Sequence, residues 1–386
     1  MMVVVVVEPT QFTSSRLDIL KSNIKAVLDA PERCSIKQDG NLLLLEVDEP
    51  VDVMYALTNV FGIRSIGIAE IADKKLDSIV DAIVGVGKHI IHSNERFHVE
   101  VLGSVNGLVA RDVEFASTAA LLSELSMLNI KPSSKGYDRL IRVYIADEYA
   151  YICRICKDGA GGLPVGSNGY ALCSVYDCIS AVAAYVLAEH GFYPSIIVVY
   201  DEEEGDGMLR RVAKKIEVIA RMLPSRSIEL RYTHYTPKGN DVYSSNKYHS
   251  HYKNTLLTSL LLDRLVRVSD MGGKSNSNGS SIIALPLSSL HGIDFINSVM
   301  SKMSCRNVIF PLMFSNYLYY ARIFGVEYVR EMQDISNFTE SVDDSYMDEY
   351  VEECINNMHR LEVKLSPNMV HDMIDGIRRC KADNNL

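Results

Sequence analysis

Lys157-Asp-Gly-Ala-Gly-Gly-Leu-Pro-Val-Gly166 divides the chain into two halves that are patterned differently. Glycine and proline punctuate it so heavily that it reads as a linker or crossing loop. Before it, short strands and helices alternate in two small α+β groups. After it, from Tyr170, the order becomes strand, helix, strand, helix. That alternation predicts a doubly wound α/β domain with a parallel sheet.

Working back from the loop, Leu140–Ile145 and Tyr149–Ile155 predict a hairpin with a tight polar turn. Phe97, Val99 and Val101 alternate with His98 and Glu100, as on a half-buried strand. Asp112–Leu128 predicts a helix. Leu76, Ile79, Val80, Ile83 and Ile90 mark one face of another. Further back, Val3–Val7 and Asn41–Val47 predict strands. Leu17, Leu20, Ile24 and Val27 give a helical spacing over 16–28, and a second helix over 51–60 ends at Gly62.

Working forward, helices are predicted over 179–190, 207–223, 254–268 and 288–303. Strands are predicted at 171–173, 196–200, 228–232, 281–285 and 307–312. The residues after Ser366 predict a helix and a frayed end.

Composition narrows the class. The chain has 386 residues, 47% hydrophobic and 23% charged, and a formal net charge of −10. Long apolar runs are absent; Met1–Val7 is too short to cross a bilayer and carries no basic flank. We therefore expect a cytoplasmic protein with no membrane partner. Eight scattered cysteines suggest reduced thiols rather than a disulfide framework. The negative charge argues against broad electrostatic nucleic-acid binding. Residues 1–67 carry six Lys or Arg against nine Asp or Glu, and residues 68–165 carry eleven against thirteen.

Three stretches then point to one family. Phe97-His-Val-Glu-Val with Asp112–Leu122 resembles the central strand and helix of a THUMP domain. Leu140-Ile-Arg-Val-Tyr-Ile followed by Tyr149-Ala-Tyr-Ile-Cys resembles that domain's closing hairpin. Gly161-Gly-Leu-Pro-Val-Gly166 matches, almost letter for letter, the hinge of the tRNA 4-thiouridine synthase and thiamine-biosynthesis sulfurtransferase family. Weaker similarity continues to about residue 330.

The resemblance implies four parts. These are a ferredoxin-like domain over 1–67, a THUMP domain over 68–164, a PP-loop α/β domain of the adenine nucleotide alpha hydrolase-like type over 165–365, and a tail over 366–386. It implies tRNA as a partner and ATP with magnesium as cofactor. The α/β domain would adenylate the C4 oxygen of uridine 8, and a persulfide sulfur would displace AMP. A sulfur donor or a second copy of the chain would be further partners. Arg111, Lys131, Lys135, Arg139 and Arg142 are the candidate RNA contacts if they gather on one THUMP face.

The sequence departs from the family at the loop that performs the chemistry. The PP-loop pattern is Ser-Gly-Gly-x-Asp-Ser, whose glycines let backbone N–H groups close on pyrophosphate at a helix N-terminus. Here the stretch is Cys173-Ser-Val-Tyr-Asp-Cys178. Asp177 is kept. Ser174 and Val175 replace both glycines, and valine resists positive φ and adds bulk. A later Gly-Glu-Ser motif falls at Ala284-Leu-Pro-Leu-Ser288, also changed. Leu172, Cys173, Ser174, Asp177, Cys178 and Tyr200 are the candidate nucleotide contacts, with Asp177 and Cys178 the candidate catalytic groups. Asp177 equally suits a helix N-cap. Three functions follow: an RNA-binding relative with a degenerate loop, a divergent but active uridine sulfurtransferase, or an assembly partner of an active paralogue.

Other constellations are weighed against plain burial. Cys153-x-x-Cys156 has zinc-knuckle spacing, but residues three apart on a strand face opposite sides, so no metal is expected. Cys173 or Cys178 could carry a persulfide, because a helix N-terminus lowers a thiol pKa. Cys305 is expected in the core. Tyr232–Lys253 interleaves aromatics with Lys and His, as an RNA-stacking loop does, or is a solvated loop. His249-x-His251 lacks a third metal ligand nearby in sequence.

Overall fold

The computed structural model describes residues 3–29, 35–103, 109–202, 205–225, 227–238, 247–271, 282–313, 315–336 and 344–383. It divides into two compact units, Met1–Pro164 and Val165–Leu386.

In chain order, the first unit runs β1 (Val3–Pro9), α1 (Leu17–Leu28), β2 (Ser35–Asp39), β3 (Leu42–Glu46), α2 (Pro50–Leu57) and β4 (Ile63–Asp73). It continues α3 (Leu76–Ile90), β5 (Arg96–Leu102), α4 (Ala110–Glu124), β6 (Lys131–Pro132), β7 (Arg139–Ile145) and β8 (Tyr149–Gly161). The strands form one eight-stranded sheet, ordered β2-β3-β1-β4-β8-β7-β5-β6. The boundary expected at residue 67 falls inside β4, which pairs with β1 on one side and β8 on the other.

The valine run of β1 is apolar without interruption because both faces of this strand are covered. Val5 and Val7 pack with Leu20, Ile24, Met54 and Leu57 of α1 and α2. Val4 and Val6 point the other way, onto Leu44, Tyr144 and Tyr151. No helix of this unit is needed to close that second face. The sheet curls until buried Asp39 of β2 accepts the Tyr151 hydroxyl at 2.7 Å and the Glu148 N–H at 2.8 Å, from the far side of the sheet.

The predicted hairpin forms as β7 and β8. However, β8 continues through Lys157 to Gly161 and pairs with β4, so half of the expected linker is strand. The glycine there serves close approach rather than flexibility. A Cβ on Gly159 would sit 2.4 Å from the Ile63 carbonyl oxygen. This is why a glycine-rich stretch that reads as loop is strand.

The second unit runs β9 (Tyr170–Val175), α5 (Cys178–Glu189), β10 (Tyr193–Asp201), α6 (Gly205–Ala220), β11 (Ser227–Tyr235), α7 (Lys247–Met271), β12 (Ile283–Ala284), α8 (Ile293–Lys302) and β13 (Val308–Ile309). Then follow α9 (Tyr317–Phe324), α10 (Val326–Ser336), α11 (Met347–Asn356), β14 (His359–Lys364) and α12 (Met369–Asp383). The sheet order is β13-β12-β9-β10-β11-β14. Its first five strands are parallel, as the alternation predicts. β14 is an antiparallel edge strand on β11. The expected tail is largely α12, docked through buried Met369, Met373, Ile374 and Ile377. No helix among the described residues is long and apolar enough to cross a membrane.

Candidate functional site

In doubly wound sheets the crevice for a ligand lies beyond the carboxyl ends of the strands. Here β9 ends at Val175, Tyr176 and Asp177 make the turn, and α5 starts at Cys178. Asp177 caps α5 in a reciprocal box: its Oδ1 accepts the Ser180 N–H at 2.8 Å, and the Ser180 hydroxyl accepts the Asp177 N–H at 3.0 Å. The capping role expected of this residue is therefore present.

The second carboxylate oxygen of Asp177 is bonded to Nδ1 of His251 on α7. His251 Nε2 meets His291 Nε2 at 3.0 Å, and His291 Nδ1 accepts the Ser288 N–H at 3.1 Å. That last bond fixes the tautomers. His291 must carry its proton on Nε2 and give it to His251, which carries its own on Nδ1 and gives it to Asp177. The line of two imidazoles ends on one carboxylate. Burial and then the neighbouring His251 press the His291 pKa down to about 3. Burial works to raise Asp177, but His251 and Ser180 more than reverse it and hold the carboxyl below its ordinary value. Tyr176 lies beside this line, buried, with its hydroxyl 2.6 Å from that of Thr255.

The N-terminus of α5 is already engaged. Glu331, on α10, brings one carboxylate oxygen 3.0 Å from the Cys178 N and 3.3 Å from the Ile179 N. One turn earlier, Glu327 pairs with Lys215 of α6 at 2.7 Å. The cavity bordered by Asp177, Cys178, Lys215, His251 and Glu331 measures about 80 Å³. That volume is far below the several hundred Å³ of an ordinary small-molecule pocket.

Of the six candidate nucleotide contacts, only Asp177 and Cys178 line this cavity. Leu172, Cys173 and Ser174 are buried within β9, and Tyr200 is buried at the end of β10 beside the His234 ring. The Ser174 hydroxyl has no hydrogen-bond partner among the described residues. Neither candidate thiol is activated. Burial pushes Cys173 up to about 12. Burial and then the Glu331 carboxylate push Cys178 up as well, reversing the lowering expected at a helix N-terminus.

The RNA candidates do not form one patch. Arg139 and Arg142 lie on opposite faces of β7. Arg139 is held by Glu95 at 2.8 and 2.9 Å, and Arg142 by Glu100 at 2.6 Å. Arg111, Lys131 and Lys135 are exposed. The expected aromatic loop is also different: Tyr235, His251, Tyr252 and Lys253 are buried on β11 and α7. Tyr243 and Cys34 lie outside the described residues, as do the side chains of Lys247, Tyr248, His249 and Cys380. Among the described residues no three His, Cys, Asp or Glu side chains gather as a metal site would require.

No protein-family model matches the chain. Curated relatives do. A probable tRNA sulfurtransferase of Streptococcus equi subsp. equi is 29% identical over 177 residues, 45% of this chain and 43% of the relative. One from Streptococcus agalactiae serotype Ia is 30% identical over 178 residues, with the same shares. Over that stretch the chain is similar to tRNA sulfurtransferases. The match spans less than half the length of these curated relatives. The fold similarity extends further than the sequence match. A 4-thiouridine synthetase solved in complex with RNA and bound ATP aligns over 94% of this chain and all of its own, with TM-score 0.64 and 12% identity. The Pyrococcus horikoshii protein PH1313 aligns over 83% of this chain and 98% of its own, with TM-score 0.55 and 20% identity.

The residues missed by sequence reasoning are Glu331, Lys215, His251 and His291. Glu331 meets the start of α5 and His251 meets Asp177, while Lys215 and His291 stand one contact behind, on Glu327 and His251. His251 carried a signal in the His249-x-His251 spacing, but that spacing pointed to a metal rather than to a carboxylate.

Proposed function

We propose that this chain binds tRNA without performing ATP-dependent thiolation, its nucleotide site having been closed by its own side chains. The single observation that carries this is the Glu331 carboxylate on the N–H groups of Cys178 and Ile179. Those are the donors that a PP-loop offers to a phosphate. A carboxylate already there satisfies them and places negative charge where polyphosphate would enter.

Two further features support the same reading. Val175 and Tyr176 stand where the family has glycine and a variable residue, and both are buried. Asp177 is committed twice, to the α5 cap and to His251, leaving no carboxylate oxygen free for magnesium. ATP with magnesium does not fit the residues present. The similarity to sulfurtransferases and to an RNA-bound synthetase supports tRNA as the ligand.

A second function, divergent thiolation, is favoured by one observation: Arg211 and Lys215 border the same cavity as Asp177. The two are separated by incubating the protein with unmodified tRNA, Mg-ATP and a persulfide donor, measuring tRNA retention and the ultraviolet signature of 4-thiouridine. We expect retention that is indifferent to ATP and no thiolated base. Multiple-turnover thiolation would overturn the proposal.

A further inference from the structure

The Cys153-x-x-Cys156 pair does not behave as residues three apart on a strand should. A β-bulge interrupts β8: Ala69 pairs with Cys153, but the next residue of β4, Ile68, pairs with Ile155. One residue of β8 is therefore extra, and the alternation slips by one. Cys156 stands opposite Gly67, two positions from Ala69, so both cysteines end on the same face of the sheet.

The space between them is left open by Gly67. A Cβ built on that glycine would lie 2.5 Å from the Cys153 sulfur. The Cys153 thiol thus leans over Gly67 toward the residue directly opposite it, which is Cys156. The two side chains are neighbours along one face of β8. Both are free thiols, but they differ in access: Cys153 is fully buried and Cys156 only half-buried. The guanidinium of Arg142, itself paired with Glu100, lies on the same face.

We propose that Cys156 and Cys153 form a redox-active dithiol that exchanges with low-molecular-weight disulfides, Cys156 attacking and Cys153 resolving. The more accessible Cys156 thiolate attacks one sulfur of a disulfide RS–SR. A Cys156–S–S–R bond forms, and RS⁻ leaves and takes a proton. Cys153 then loses its proton and attacks the Cys156 sulfur. The internal disulfide forms, and the second RS⁻ leaves and is protonated. Two electrons pass from the protein dithiol to the external disulfide, giving two RSH. The polarity of the pair agrees with this order. The neighbouring Cys153 thiol and Arg142 hold Cys156 below the ordinary thiol range against its burial, while Cys153 is pushed well above it.

The consequence is local. The bulge lies in the β4–β8 ladder at the middle of the first unit's sheet, so a bond between the two sulfurs draws the bulge tighter beside Arg142.

The test is incubation of the full chain with oxidised glutathione, followed by alkylation and peptide mapping. Wild type should form an internal Cys153–Cys156 disulfide. Cys153→Ser should stop at a stable glutathione adduct on Cys156, formed about tenfold faster than on Cys305. Cys156→Ser should leave Cys153 unmodified. Gly67→Ala, which displaces the Cys153 sulfur, should slow closure and let the mixed disulfide accumulate. Tyrosine ellipticity verifies that each variant is folded. A mixed disulfide that persists in wild type, or a Cys156 that reacts no faster than Cys305, would overturn the assignment.

Discussion

Acid should destabilise the second unit through His291, and the amount follows from its surroundings. The ring is buried, and its Nδ1 is committed to the Ser288 N–H while Nε2–H is committed to His251. A proton added to His291 at Nδ1 sets that N–H against the Ser288 N–H. The folded pKa of His291 is about 3 against an ordinary 6.5. For a depressed folded pKa the stabilisation is complete above the unfolded value and declines as pH falls toward the folded one. Between pH 7 and 5 the unfolded chain takes up about 0.7 of a proton that the folded chain refuses, which costs about 2 kcal/mol. Asp177, also held below its ordinary value, adds a loss of the same sign only at lower pH. The perturbation is His291→Asn, whose amide oxygen keeps an acceptor for Ser288 without titrating. It should cost about 1–3 kcal/mol at pH 7 through the lost contact with His251, and should lose most of the slope between pH 7 and 5. With no tryptophan in the chain, urea unfolding is followed by tyrosine ellipticity. The wild-type minus variant difference cancels the histidines that do not touch His291. Parallel pH dependence in the two proteins would refute the reasoning.

Further outcomes follow from the same contacts. Tyr176→Phe removes the hydroxyl pair with Thr255 and should cost about 1 kcal/mol by urea unfolding, without creating a nucleotide site. Glu331→Gln removes the charge at the start of α5 and should lower stability by about 1 kcal/mol, while making inorganic phosphate detectable by calorimetry. For tRNA, replacing Arg111, Lys131 and Lys135 together with Ala should flatten the salt dependence of binding by about two to three logarithmic units of slope. Arg139→Ala should change it little, because Glu95 already neutralises that side chain.

Periodicity reported the backbone of the second unit as far as β13, because buried parallel strands and amphipathic helices each leave a local pattern; α9, α10 and α11 were not predicted. Its edge strand β14 was not legible: His359–Lys364 is short, polar and antiparallel. In the first unit, β4 was missed because Gly62 and Gly67 break an apolar run that tertiary pairing restores. The β8 extension was hidden by glycines that serve close approach to Ile63. The altered loop at 173–178 was visible at once, since glycine to valine is a local fact. What now fills the site was not, because Glu331 arrives from 153 positions away and nothing in its own neighbourhood marks it. The bulge at Arg154 was equally silent, and with it the meeting of Cys153 and Cys156.

The claim at the centre is that the nucleotide site is closed from within, and calorimetric titration of the native chain with Mg-ATP tests it most directly. We expect no binding heat for the native protein and measurable binding once Glu331→Ala is combined with Val175→Gly and Tyr176→Gly. Micromolar ATP binding by the native chain would contradict the claim.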